Sequence, residues 1–150
     1  MRRLLVACLS GLFVAAALVV ASRRPENPAI PVDGVCDDPA VSAILARSCQ
    51  DCHSDRTRWP WYGHLPPASW MLNNDIKGAR SHMDLSQWNK YSPDDKRQIL
   101  TEMGAAVRND EMPPARYLLM HPDAKLSTDD VTLLYAWARS ERHKLRAQAR

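Results

Sequence analysis

The sequence predicts an all-helical domain, on three observations. Three polar start signals, at Asp38-Pro39, Ser92-Pro93-Asp94-Asp95 and Ser127-Thr128-Asp129-Asp130, each precede apolar residues at helical spacing. No stretch sustains the period-2 alternation of a half-buried strand. The 150 residues, 45% hydrophobic and 25% charged, suffice for one core once a leader is set aside, but not for two domains.

The chain opens Met1-Arg2-Arg3. Leu4 to Ala21 is then apolar apart from Ser10 and Gly11, and Arg23-Arg24 come next. Eighteen helical residues reach about 27 Å, close to the thickness of a hydrocarbon core. Residues 1–24 are therefore expected to be a signal peptide or a signal anchor. The long run and the lack of an A-x-A site favour an uncleaved anchor. Either form exports the remainder of the chain. Residues 25–36 are Pro-rich and aperiodic, a semi-rigid tether.

Asp38 offers an N-cap and Pro39 a first helical position, and Val41, Ile44, Leu45 and Ser48 share one face of a helix that ends at Cys49. A weaker helical pattern covers Ala68 to Arg80. After Ser92, the stripe is Ile99, Leu100, Met103 and Val107, with acids in the first turn where the helix dipole favours them. After Ser127 it is Val131, Leu134, Tyr135 and Ala138, with Trp137 beside them. Arg139 to Arg150 carries five basic residues and one acidic, whereas Pro25 to Ala138 carries 11 basic and 16 acidic. The basic end, residues 141–150, reads most simply as a solvated helix end. The sharper reading is a docking patch for anionic lipid or a protein partner.

Composition excludes several classes. A formal charge of +3 with no basic-aromatic motif argues against a nucleic-acid binder. Four unevenly spaced Cys do not make a disulfide scaffold. No internal repeat is present.

The chemistry gathers at Cys49-Gln50-Asp51-Cys52-His53, the Cys-x-x-Cys-His attachment signature of c-type haem. Two thiols one helical turn apart reach the two vinyl groups on one porphyrin edge. The next residue, His53, then lies under the ring and offers iron an imidazole nitrogen. Attachment takes place outside the cytoplasm, which agrees with an export segment. A thioredoxin-like motif would need a βαβ context, and a zinc site a matching second pair; neither is present. A structural disulfide in an exported chain is the remaining competitor.

A second axial ligand is sought in Glu111-Met112-Pro113-Pro114. Met112 lies 59 residues after His53, in a loop between two helices, and two prolines stiffen that loop. A thioether is a soft ligand that favours ferrous iron. Met120, His121, His64 and His82 are its competitors. Met71, Met83 and Met103 read as core filler.

Cys49-Gln50-Asp51-Cys52-His53-Ser54, Trp59-Pro60-Trp61-Tyr62 and Pro67-Ala68-Ser69-Trp70 together resemble the bacterial haem-binding domain family of single-haem, cytochrome c-like proteins. Asp75-Ile76 with Gly78 and Arg80, Leu85-Ser86 with Trp88, and Met112-Pro113-Pro114 with Tyr117 extend the likeness, as does Leu126-Ser127 before Leu134 and Trp137. It covers about residues 37–140, and departs at His82-Met83-Asp84, where the family more often has Asn. The resemblance implies a helical cytochrome c-like fold around one covalently bound haem c. It implies thioethers at Cys49 and Cys52, and iron ligands at His53 and Met112. A Pro carbonyl, from Pro66 or Pro67, is implied as acceptor for the free ring N–H of the proximal His. Trp59, Trp61, Tyr62 and Trp70 are expected to wall the haem, and Arg80 and Trp88 to donate to its propionates.

The combined expectation is an exported, membrane-tethered monohaem c-type cytochrome at the extracytoplasmic face of a bacterial inner membrane. It passes single electrons between redox proteins there. Filled axial positions leave no room for a substrate, so an enzyme is not expected. The rival is a haem-based sensor or peroxidase-like enzyme with an openable distal site. Cys36 receives no role.

Overall fold

The computed structural model describes residues 2–21 and 35–148, with side chains in the first segment from Val6 to Leu18. The expected tether at 25–36 lies almost wholly outside the described residues. Helix α1 spans Arg2–Ala21. Among the described residues, no helix is long and apolar enough to cross a membrane.

From residue 35 onward the described chain is helices and loops, with no strand. Helix α2 (Pro39–Ser48) leads straight into a single turn, α3 (Gln50–His53), which carries the haem motif. A 3-10 turn at Trp61–His64 precedes α4 (Ala68–His82). A second 3-10 segment, Leu85–Lys90, leads to α5 (Pro93–Arg108). The short α6 (Ala115–Leu118) and a 3-10 turn at Pro122–Ala124 lie before the long α7 (Thr128–Gln148).

The start signals act as expected. Asp38 accepts from the backbone N–H of Ala40 at 2.8 Å and of Val41 at 3.4 Å. Ser92 and Asp95 form a reciprocal capping box at the head of α5. Ser127 and Asp130 repeat it at the head of α7, with bonds of 2.8 and 3.1 Å. Asp130 also pairs with Arg47 at 2.8 Å, tying that end of α7 to α2.

The core lies between α2, α5 and α7. Val41, Ile44 and Leu45 meet Ile99, Leu100, Met103 and Val107, with Leu134 and Ala138 across from them. Met83, Leu85 and Trp88 close it on the side of the haem motif. Gly104 sits where α5 meets α7: an added Cβ would lie 3.3 Å from the Tyr135 ring. A mid-helix glycine costs up to about 1 kcal/mol of propensity, which this close approach offsets. Of the Met residues expected as filler, Met83 and Met103 are buried but Met71 is exposed. It stands on the outer face of α4, next to the exposed Trp70.

Helix α5 ends in a left-handed residue that is not glycine. Asp110 has φ 55°, and the Glu111 N–H returns to the Ala106 carbonyl at 2.9 Å. This is the Schellman closure, which usually takes Gly at that position. It turns the chain out of α5 and delivers Met112 two residues later.

Candidate haem-binding site

The turn α3 places Cys49, Cys52 and His53 within one helical turn, continuous with the buried stripe of α2. Both thiols are free. Burial pushes the Cys49 thiol up to about 12 and the Cys52 thiol up to about 11, the latter with help from the Asp51 and Asp75 carboxylates. Both sulfurs are therefore neutral thiols at physiological pH.

His53 is held by its Nδ1, 2.9 Å from the Met83 carbonyl oxygen. That leaves Nε2 as the nitrogen for a metal. Burial lowers the His53 pKa, keeping the ring neutral, as a metal ligand must be. The acceptor is thus Met83, and not Pro66 or Pro67. The carbonyl of Pro67 already accepts from Trp70 at 3.1 Å and Met71 at 3.2 Å, because Pro67 is the N-cap of α4. Met83 is the C-cap residue of that same helix, where the chain leaves α4 and a carbonyl is free to turn toward α3.

The loop after the motif is pinned from α4. Arg80 pairs with Asp55 at 3.2 Å and donates to the Ser54 carbonyl at 2.7 Å and to Thr57 Oγ1 at 3.1 Å. Its terminal nitrogens are thereby engaged within the chain, while its Nε is buried without a partner. Trp88 sits in the core, edge-on to Tyr91, with the Lys96 ammonium 5.6 Å from its ring centre.

Asp51, the second variable position of the motif, is the centre of the most connected side-chain network here. Its buried carboxylate accepts from the Arg58 backbone N–H at 3.0 Å, from Arg58 Nε at 3.1 Å and Nη2 at 3.0 Å, and from the Tyr117 hydroxyl at 3.0 Å. Burial and the nearby Asp51 charge push the Tyr117 pKa well above the usual tyrosine range, so the phenol stays a donor. Tyr117 stacks on His121, whose Nε2 lies 3.1 Å from the Tyr62 hydroxyl. Sequence reasoning passed over Asp51 and gave Tyr117 only as part of a resemblance. An acidic residue flanked by two thiols was the one available signal.

Large exposed apolar side chains of the described domain fall in two segments. Trp61, Leu65, Trp70 and Met71 stand in one; Met112, Leu119 and Met120 in the other. Tyr62 with His121, and Asp75 with Arg116 at 2.8 Å, bring the two segments together beside α3. Trp59 packs its ring against Gly63. On the motif side of α4, Ser69 Oγ, Asn73 Oδ1 and Arg80 Nε are buried without a partner. Met112 is 41% exposed and has no direct bond to the motif residues.

These features fit a haem. Two neutral thiols lie one turn apart, and one imidazole nitrogen is free beside them. Apolar rings flank the turn, and the unpaired Ser69 hydroxyl and Arg80 Nε are donors that suit the carboxylates of a porphyrin edge.

The class so defined is a helical haem-binding protein. The chain belongs to the haem-binding domain family, whose model matches residues 12–140. It is also similar to cytochrome c peroxidase Ccp of Escherichia coli (strain K12), with 23% identity over 125 residues. That match covers 81% of this chain but only 27% of the relative's length, so the chain spans about a quarter of that protein. No solved structure gives a significant match.

Proposed function

We propose that the chain is an exported c-type cytochrome with a single haem, joined through Cys49 and Cys52, that carries single electrons between redox proteins at a membrane. The observation that carries this reading is the His53 ring, fixed through Nδ1 at 2.9 Å on the Met83 carbonyl, within one helical turn of two thiols, so that Nε2 is the nitrogen that would hold a metal. Haem supplies a one-electron couple at iron. Around it the chain binds, orients and excludes water. His53 is the proximal ligand, its basicity raised by the Met83 carbonyl. Met112 would offer the second iron ligand, a neutral thioether that favours the ferrous state. Trp61, Trp70 and Tyr62 would supply apolar rings to wall the haem. The apolar run from Leu4 to Ala21 supports export and tethering.

A second reading rests on the likeness to a cytochrome c peroxidase and on the partial exposure of Met112. In that reading the distal position opens to a small ligand.

One experiment separates them. The purified protein is expected to show the long-wavelength Met-to-iron charge-transfer band when ferric, and to resist carbon monoxide when ferrous. Met112→Ala abolishes the band, and Met120→Ala keeps it. Fast, complete carbon monoxide binding by the wild type, or the reverse result from the two variants, overturns the carrier reading. An intact mass with one haem added, retained in acidified organic solvent, tests the covalent link.

A further inference from the structure

We propose that Asp51 is the residue that positions the Met112-bearing segment against the haem-attachment turn, acting through the hydroxyl of Tyr117. The inference rests on the assignment of Met112 as distal ligand and goes one step beyond it.

Asp51 lies between the two thiols with its side chain 11% exposed, and a buried charge is tolerated only when paired and hydrogen-bonded. Arg58 supplies the countercharge, but it is only seven residues away and its own side chain is 63% exposed. It closes a local loop. The Tyr117 hydroxyl supplies the long-range bond, across 66 residues. It is the charge-assisted bond through which the haem turn holds the far segment, and such bonds are about twice as strong as neutral ones.

Two other links hold the same segment. Arg116 with Asp75 is an exposed pair, 65% and 39%, of a kind that contributes little. Tyr62 with His121 joins a hydroxyl to a ring nitrogen at 3.1 Å, with no carboxylate in the bond. The Tyr117 link is therefore the strongest of the three. It also reaches Met112 with little slack. The Tyr117 N–H bonds the Pro114 carbonyl at 2.9 Å, the Leu118 N–H bonds it at 3.2 Å, and Pro113 is buried. Tyr117 stands five residues after Met112, and two of the residues between them are proline. Where Tyr117 is fixed, the path of the thioether is restricted.

The test uses the full chain with its haem, made in a host competent in cytochrome maturation. Tyr117→Phe removes one oxygen. We expect haem content and helix signal to stay at wild-type levels, while carbon monoxide binding to the ferrous protein speeds up roughly tenfold or more, the weight of one charge-assisted bond. The ferric Met-to-iron band weakens in parallel. Asp51→Asn moves both in the same direction. The double variant is no faster than the faster single one, because both act on the same bond: Tyr117→Phe removes it, and Asp51→Asn takes away its charge. Tyr135→Phe, a partly buried tyrosine in the α5–α7 seam, stays at the wild-type rate.

A Tyr117→Phe rate equal to wild type overturns the proposal, as does a double variant whose effect is the product of the two singles. If Tyr117→Phe does not accumulate with haem, Asp51→Asn against wild type decides by the same rates. Failure of the underlying assignment is visible elsewhere: a wild type that lacks the band, or binds carbon monoxide as fast as Met112→Ala, removes Met112 and this proposal together.

Discussion

Arg80 offers a test that distinguishes a strut within the chain from a donor to the cofactor. Its side chain is 18% exposed and that of its partner Asp55 is 8% exposed, so the pair is largely out of water. Arg80→Met keeps the length and packing of the stem and removes the charge. The Asp55 carboxylate is then stranded in the interior. Removing one partner of a buried pair costs about 3–5 kcal/mol, and the bonds to the Ser54 carbonyl and Thr57 are lost with it. A partner-free Nε pulls the other way, since Arg80 buries that donor at a cost already present in the wild type. We therefore expect a loss of about 3 kcal/mol. In urea unfolding of the haem-loaded protein, followed by far-UV circular dichroism, the midpoint should fall by on the order of 1–2 M with the slope unchanged. Asp55→Asn in the Arg80→Met background should recover more than half of that loss, because it removes the stranded charge. A cost under about 1 kcal/mol, or a loss that Asp55→Asn fails to relieve, refutes the strut. A small stability change together with a large shift in reduction potential would return Arg80 to the propionates.

Two further substitutions probe the frame around the site. Asp110→Gly removes the Cβ from a left-handed position and should raise stability by roughly 0.5–1 kcal/mol in the same urea assay; a loss would mean that the Asp side chain holds a contact of its own. Asp130 lies below the usual carboxylate range, first because it accepts the Ser127 backbone N–H, then through the Ser127 hydroxyl and Arg47. A depressed carboxylate stabilises the fold above its unfolded pKa of about 3.9 and loses that contribution as pH falls through the folded value. Melting temperature should thus fall less steeply below about pH 4 in Asp130→Asn than in wild type; parallel acid limbs would refute the assignment.

Much of the frame was legible because it is written locally. Asp38, Ser92 and Ser127 each satisfy N–H groups two or three residues on, and the stripes of α2 and α5 arise from a 3.6-residue period. The stripe of α7 was read less sharply. Leu134 and Ala138 are buried, whereas Tyr135 lies on the rim, with the Arg108 guanidinium 4.7 Å from its ring centre. Periodicity does not say where a helix face meets its neighbour. The haem motif was equally plain, since its spacing is one turn of helix. What escaped was the second partner of each long-range bond. A carbonyl acceptor leaves no trace in residue type, so Met83 was invisible and the prolines drew attention instead. Arg80 was recognisable as a cation but not as the partner of Asp55, 25 residues back. Asp51 received no role, because its role needs Tyr117 to be folded against it.

The two readings of the site differ in one physical quantity, the hold on the distal ligand. The His53 side is fixed twice: α3 adjoins α2 directly in the chain, and the ring meets the end of α4 through a part-buried hydrogen bond. On the proposed assignment of Met112, the distal side depends on contacts made four or more residues further along the chain, by Arg116, Tyr117 and His121 to Asp75, Asp51 and Tyr62. A carrier needs those contacts to outweigh the thermal opening of a half-exposed loop in both oxidation states. A peroxidase-like site needs the balance to lie the other way, so that the thioether leaves when a small ligand arrives. Each 1.4 kcal/mol or so added to the hold closes the distal position tenfold. The same fold can thus serve either chemistry with no change at Cys49, Cys52 or His53, and the deciding residues are those that grip the segment from Ala115 to His121. Substitutions there should move carbon monoxide binding while leaving haem attachment untouched, and substitutions at the motif should do the opposite.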